Sequence, residues 1–227
     1  IKYASNSFLS VKLSFVNDLA DLCERTGADI VDVTAGMGLD SRIGAAFLKP
    51  GPGWGGSCFP KDARALNALA AQVDATLPLV EASITSNERA HRRVVDMVAD
   101  AVGGTLTGHK VACWGIAYKA GTDDTRESPA IAVMNLLTAQ GADVWAYDPI
   151  ARVPDGSAIT QKPSALEALE NADVLVVLTE WSDFAAVDAR EALAHLKSPA
   201  VIDTRNVLSH DKWRSAGAFV RVLGRPQ

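Results

Sequence analysis

Gly104-Thr-Leu-Thr-Gly-His-Lys110-Val-Ala-Cys-Trp-Gly115 separates two textures of the chain. Val111, Ala112, Cys113 and Trp114 form a short apolar run closed by a glycine, which reads as a strand buried on both faces. Similar runs return at Val144–Tyr147, Val174–Leu178, Ala200–Asp203 and Phe219–Val222. Helices fit between them. Ser128-Pro129 opens one that Gly141 closes, Ser164 with Glu167 makes a capping-box start, and Arg190–Leu196 is another. Strands alternating with helices predict a parallel, doubly wound sheet.

Upstream of Gly104 the period is helical. Leu9, Leu13, Val16, Ala20 and Cys23 recur at three- and four-residue steps, and Phe8, Phe15, Leu19 and Leu22 form a second stripe beside them. Two apolar stripes predict a helix buried on most sides. Gly27 ends it, and a short helix follows around Ile30–Gly36. Helix returns near Pro60, and a longer one starts at Pro78, a good first-turn residue, and runs to Val102. At about 1.5 Å per residue that helix reaches nearly 40 Å, long enough for the spine of a dimer. The fold class is therefore α/β: a helical domain over 1–104, then a Rossmann-like doubly wound sheet domain over 105–227. Ile1 enters the first helix without a cap, which suggests a piece of a longer protein.

Leu48-Lys49-Pro50-Gly51-Pro52-Gly53-Trp54-Gly55-Gly56-Ser57-Cys58 cannot be regular structure. A lone cysteine is usually a small buried residue. Cys58 differs because glycines let a ligand approach the backbone and a helix start just beyond it favours a thiolate. Cys23, on a helix stripe, and Cys113, inside a strand, read as core. Lys2 and Asn6 stand four apart on one helix face and offer a cationic and a neutral donor to an oxyanion. Asp62, one turn beyond Cys58, can hold water or take a proton. In the sheet half, Lys119 and Arg126 follow the first strand and Arg205 follows Ala200–Asp203. Those are the carboxyl ends where such sheets bind ligands, and three cations there suit a diphosphate. No Gly-x-Gly-x-x-Gly follows the first strand.

The 227 residues are 48% hydrophobic and 22% charged, with 22 Lys+Arg against 27 Asp+Glu and a net charge of −5. The balance is that of a globular chain and argues against a nucleic-acid partner. Three scattered cysteines are a poor disulfide framework, have no metal-ligand spacing and point to a reducing cytoplasm. No run of about 18 apolar residues suggests a membrane span. The four histidines are scattered, and no local signature supports a Cys-His hydrolase.

Gly51-Pro-Gly-Trp-Gly-Gly-Ser-Cys-Phe-Pro-Lys-Asp62 resembles the active-site signature of the UDP-glucose/GDP-mannose dehydrogenase family. Lys2-Tyr-Ala-Ser-Asn6, Asp40–Lys49, Tyr118-Lys119, Thr125-Arg126-Glu-Ser and Ile202-Asp-Thr-Arg205 match further family blocks in order. The resemblance implies a cytoplasmic homodimer joined by the helix over 78–102, with a nucleotide-sugar-binding C-terminal domain. It implies oxidation of UDP-glucose to UDP-glucuronate, a polysaccharide precursor, by two NAD⁺. Cys58 resembles the nucleophile that captures the intermediate aldehyde, forming a thiohemiacetal and then a thioester. Lys2 and Asn6 resemble oxyanion stabilisers, and Asp62 resembles the group that orients the hydrolytic water. Arg42 resembles an arginine that crosses a dimer to the partner's substrate. Lys49, Gly51, Gly53, Gly55, Tyr118, Lys119 and Arg205 match substrate-binding positions, as do Lys2 and Asn6. Ser57, Cys58 and Lys61 match positions flanking the nicotinamide, and Arg126 resembles a cofactor contact.

The family's N-terminal NAD-binding domain, with its glycine-rich turn, has no counterpart in these residues. The chain alone is therefore expected to lack turnover. Two alternatives stand beside UDP-glucose oxidation: a dehydrogenase of GDP-mannose or another nucleotide sugar, and a non-catalytic dimerisation or sugar-nucleotide-binding module.

Overall fold

A computed structural model describes residues 1–226. Four helices come first: α1 (Lys2–Thr26), α2 (Ile30–Gly38), α3 (Phe59–Ala71) and α4 (Pro78–Ala101). The remainder runs β1 (Lys110–Trp114), α5 (Pro129–Ala139), β2 (Asp143–Tyr147), β3 (Thr160–Gln161), α6 (Ala165–Leu169), β4 (Val174–Val177), α7 (Ser182–Ala186), α8 (Ala189–His195), β5 (Ala200–Asp203), α9 (His210–Ser215) and β6 (Phe219–Val222). All strand pairs are parallel, in the order β3-β2-β1-β4-β5-β6. This is the doubly wound sheet expected, with its topological switch point between β1 and β4.

The sheet is buried on both faces because its strands alternate between two cores. On β1, Val111 and Cys113 join Met97, Val133 and Val176 on one side. Ala112 and Trp114 join Leu175, Phe184 and Trp213 on the other. Trp114 stacks on Phe184 at 5.2 Å between ring centres and donates its indole N–H to the Ala165 carbonyl at 3.0 Å. Three short elements, β3, α7 and α9, had no pattern long enough to be read from the residues alone.

The helical half corrects one expectation. On α1 the second stripe is not buried: Phe8, Phe15 and Leu22 are 68%, 54% and 53% exposed. The inward face is instead partly polar and made of small residues, with Ser7, Ser10, Ser14 and Asn17 all buried. Small side chains let α1 and α4 approach closely, and their hydroxyls bond across the gap. Ser14 Oγ donates to the Ser83 carbonyl at 2.9 Å, and Ser86 Oγ donates to Asp18 at 2.7 Å. Hydrophobic periodicity alone does not register such a face.

The long helix α4 spans both halves of the chain. Val80, Ser83 and Asn87 of α4 are buried in the helical half, while Val94, Val95, Met97 and Val98 enter the core of the sheet. Its outward residues include Glu81, Glu88, Arg89, Arg92 and Asp96. One helix therefore serves both halves. The chain's last described turn adds a second tie. Gly224 N–H donates to Glu24 at 2.6 Å, Ile30 N–H donates to the Gly224 carbonyl at 2.9 Å, and Arg225 pairs with Asp29 at 2.7 Å. Among the described residues no helix is long and apolar enough to cross a membrane, all three cysteines are free, and no cluster of metal-ligating groups occurs.

Candidate active site

The loop from Leu48 to Cys58 is irregular but closely held. Buried Leu48 and Trp54 anchor it in the helical half. Three of its backbone groups, the Gly51 N–H and the N–H and C=O of Trp54, are satisfied by side chains. Gly51 N–H donates to Asn17 Oδ1 at 2.9 Å, and the Trp54 indole donates to Ser14 Oγ at 2.8 Å. Asn87 takes the Trp54 N–H at 2.7 Å and donates to the Trp54 carbonyl at 2.9 Å. Two glycines are sterically required. Gly53 has φ of 137° and lies against His91 and Asn87, and a Cβ at Gly55 would overlap the Glu127 carbonyl oxygen. Gly56 N–H reaches that same carbonyl at 3.4 Å. The loop is thus clamped between α1, α4 and the Thr125–Ser128 segment of the sheet half.

This clamp delivers Cys58 to the start of α3 with its side chain exposed. Its sulfur lies 3.7 Å from Ser57 Oγ, and its carbonyl accepts the Asp62 N–H at 2.8 Å in the first helical turn. Asp62 is fully buried, and its two oxygens are served unequally, Oδ1 having an ion-pair neighbour but no hydrogen bond. Its Oδ2 accepts from Asn6 Nδ2 at 2.7 Å, with Lys2 Nζ at 3.8 Å from Oδ2 and Lys61 Nζ at 3.3 Å from Oδ1. The Asn6 hydrogen bond, then Lys61 and Lys2, hold the carboxyl below its ordinary range against the opposing effect of burial. Asp62 is accordingly a carboxylate at neutral pH. The expected group of Lys2, Asn6 and Asp62 is assembled one turn from an open thiol.

The sheet contributes the opposite wall. The Tyr118 ring packs on Gly56, and Lys119 Nζ lies 5.5 Å from that ring's centre. Arg205 reaches the loop more closely than a place on the rim suggested, because its guanidinium lies against Gly51. Its Nε donates to the Leu178 carbonyl at 2.8 Å and pairs with Glu180 at 3.3 Å. Burial lowers the Arg205 pKa, while Glu180 and Asp203 oppose the shift. Arg126 is exposed and tied to Asp124, which raises its pKa, with Cys58 and Tyr118 adding weakly. The same pair holds the Asp124 carboxyl at about 2.

Two expected residues are not gathered in. Arg42 is 87% exposed and bonded to Asp40 at 2.6 Å, and Lys49 is exposed. Residues that the sequence reading missed are Ser14, Asn17, Asn87, His91 and Glu127. Their only signal is three-dimensional, since each meets the loop from a distant part of the chain. A groove of roughly 550 Å³ between α7, α8 and α9, lined by Val187, Asp188, Lys212 and Trp213, contains none of the site residues.

A dinucleotide has a defined place to be tested for in this type of sheet: the amides after β1 and the start of the next helix. That place does not fit one. The amides of Ile116 and Ala117 already donate to Asp148 Oδ2, at 2.8 and 3.1 Å. The start of α5 carries Pro129, which has no N–H, and Gly55 packs against Pro129. Among the described residues, then, the sheet offers no open pyrophosphate seat.

Comparison with known proteins agrees with this geometry. Residues 1–89 match the central domain of the UDP-glucose/GDP-mannose dehydrogenase family, and residues 112–210 match its UDP binding domain. A UDP-glucose 6-dehydrogenase of Rickettsia conorii is 43% identical over 99% of this chain and 53% of its own length. One from Rhizobium meliloti is 42% identical over 100% of this chain and 52% of its own. The chain thus spans about half the length of the curated relatives it matches. Among solved structures, a UDP-glucose dehydrogenase from Pyrobaculum islandicum superposes with a TM-score of 0.87 at 33% identity, over 99% of this chain and 50% of that one. An NDP-N-acetyl-D-galactosaminuronic acid dehydrogenase from Methanosarcina mazei gives 0.89 at 28% identity, over the same shares of the two chains.

Proposed function

Since the chain belongs to the UDP-glucose/GDP-mannose dehydrogenase family, we propose that it supplies the thiol and the sugar-nucleotide wall of a UDP-glucose 6-dehydrogenase site. The observation that carries this reading is the exposed Cys58 thiol set one helical turn from buried Asp62, which Asn6 and the exposed Lys2 partner.

The reaction is a four-electron oxidation of a C6 alcohol to a carboxylate. Loss of one hydride and one proton gives the aldehyde. The Cys58 sulfur then adds to that carbonyl carbon, making a tetrahedral thiohemiacetal with a second hydride to lose. Departure of that hydride leaves a thioester, and water cleaves it to the carboxylate and the free thiol. Lys2 and Asn6 are the groups proposed to stabilise the oxyanions, through an ammonium and an amide N–H. Asp62, held ionised, accepts a hydrogen bond from the attacking water and orients it. NAD⁺, when bound to the whole protein, supplies the two hydride acceptors. Ser57, Cys58, Lys61 and Arg126 are the residues of this chain proposed to face it. The sheet's own switch point holds no seat for the cofactor, because Asp148 already takes the amides after β1.

Tyr118, Lys119 and Arg205, with the loop from Lys49 through Gly51 and Gly53 to Gly55, form the proposed sugar-nucleotide cradle. Arg42, exposed and paired with Asp40, is proposed to reach a second copy of the chain. The proposed homodimer, expected through the helix over 78–102, has a second candidate surface on α1. There Phe8, Phe15 and Leu22, seven residues apart, make an exposed apolar seam. A second reading, oxidation of another nucleotide sugar, is favoured by the close backbone match to the Methanosarcina mazei enzyme.

The test is protection of Cys58 from alkylation, together with the melting temperature, in UDP-glucose, UDP and GDP-mannose. UDP-glucose is expected to slow alkylation and to raise the melting temperature more than GDP-mannose does. An equal or reversed response defeats the uridine sugar. No response to any of the three defeats the cradle.

A further inference from the structure

We propose that Asp148 is a built-in anion that occupies the phosphate seat of this sheet, shutting dinucleotides out of the switch point and fixing the loop that carries Tyr118 and Lys119. In parallel sheets of this strand order, ligand phosphates rest on the main-chain amides that follow β1. Here those amides belong to Ile116 and Ala117, and both donate to Asp148 Oδ2. The Trp181 indole N–H, from the loop after β4, completes the same oxygen's shell at 3.0 Å. The other oxygen accepts from Ile150 N–H at 3.0 Å and Ala151 N–H at 2.8 Å.

Five neutral donors therefore converge on one carboxylate that is only 4% exposed, and among the described residues no cation pairs with it. This is the arrangement of an oxyanion seat in which the anion is covalently part of the chain. Asp148 comes from the end of β2, the strand beside β1. The other half of a phosphate seat, the start of the helix after β1, is closed by Pro129 and by Gly55 of the cysteine loop. Ser128 Oγ turns back onto the Ile116 carbonyl at 2.7 Å, and Thr179 Oγ1 donates to the Ala117 carbonyl at 2.7 Å. Ile116 and Ala117 are thus held at both N–H and C=O, immediately before Tyr118 and Lys119. A ligand diphosphate is left only the outer positions, at Tyr118, Lys119 and Arg205. That last consequence rests on the proposed sugar-nucleotide cradle; the filled seat does not.

The experiment uses the full chain with inorganic anions and no sugar nucleotide, so it stands or falls apart from the proposed activity. Asp148→Gly removes the carboxylate and leaves room for a small anion. Loss of charged hydrogen bonds is expected to lower the melting temperature by roughly 5–10 °C. Formate should restore it saturably, while chloride at equal ionic strength should not. If the variant folds only when formate is present, the proposal is equally supported. Asp148→Asn keeps the seat filled and should show no formate response. In the unaltered chain, pyrophosphate should leave the amide resonances of Ile116 and Ala117 and the Trp181 indole unmoved, whereas in Asp148→Gly it should shift all three. Movement of those resonances in the unaltered chain, or a variant indifferent to formate, overturns the proposal.

Discussion

Asn87 holds the main chain of Trp54 from both sides, accepting its N–H at 2.7 Å and donating to its carbonyl at 2.9 Å. A side-chain amide is the one group that can mimic a neighbouring strand in this way, with one acceptor and one donor in a plane. The pair is buried, so neither partner has water as a substitute. Through it α4 sets the height of the loop four residues before Cys58.

Asn87→Ala orphans the Trp54 N–H and C=O together. At about 1–3 kcal/mol for each of the two buried unsatisfied groups, the loss is about 2–6 kcal/mol. Urea unfolding measures it, and the alkylation rate of Cys58 should change in the same variant. Asn87→Asp keeps the size but loses the donor, and should not restore the stability.

The thiols predict a clean chemical signature. Cys58 is exposed, whereas Cys23 and Cys113 are buried and burial pushes both thiols up. Iodoacetamide under native conditions should add to Cys58 alone, and Cys58→Ser should leave no rapidly modified site. Mass spectrometry of the labelled peptides decides this, and rapid labelling of Cys23 or Cys113 would contradict the packing.

Asp62 predicts a pH effect on the acid side. Its folded pKa is depressed, chiefly by Asn6, so its contribution to stability is present above the ordinary carboxylate pKa. That contribution is lost as pH falls through the folded value. Asn6→Ala should raise the Asp62 pKa and shrink this acid-side loss. Carbon NMR of the Asp62 carboxyl across the titration reads the shift directly, and an unmoved midpoint would refute the coupling.

His91 acts in a different window. Burial, with Arg92 adding to it, lowers its pKa from 6.5 to about 4. The unfolded chain therefore takes up a proton that the folded one refuses, and stability falls as pH drops from 6.5 towards 4. The full effect is on the order of 3 kcal/mol, at about 1.4 kcal/mol per pKa unit. His91→Gln should flatten the melting temperature between those pH values. The lowered carboxyls of Asp40, Asp62, Asp124 and Asp173 act at the acid end of that window and below it.

Much of the fold was legible because its signals are local. The runs at 111–114, 174–177 and 200–202 are apolar throughout, as strands covered on both sides must be. Gly27 ends α1 in a left-handed turn whose N–H returns to the Cys23 carbonyl, a cap readable from one glycine. The α1 seam was misread for an equally physical reason. Phe8, Phe15 and Leu22 carry the periodicity of a buried stripe, but their exposure depends on what stands opposite, and small buried serines took the inner face instead.

By itself the sequence determined the two textures, the strand order's raw material, the reactive loop and the family. Each is written in residue types at short spacing, where backbone preference and side-chain period act within a few positions. Only the tertiary structure decided that Asp62 is held by Asn6, that Asn87 grips Trp54, that α4 belongs to both halves and that Asp148 fills the seat beyond β1. Those relations join groups tens of residues apart, and their strength comes from burial and direction, which exist only after the chain has closed on itself.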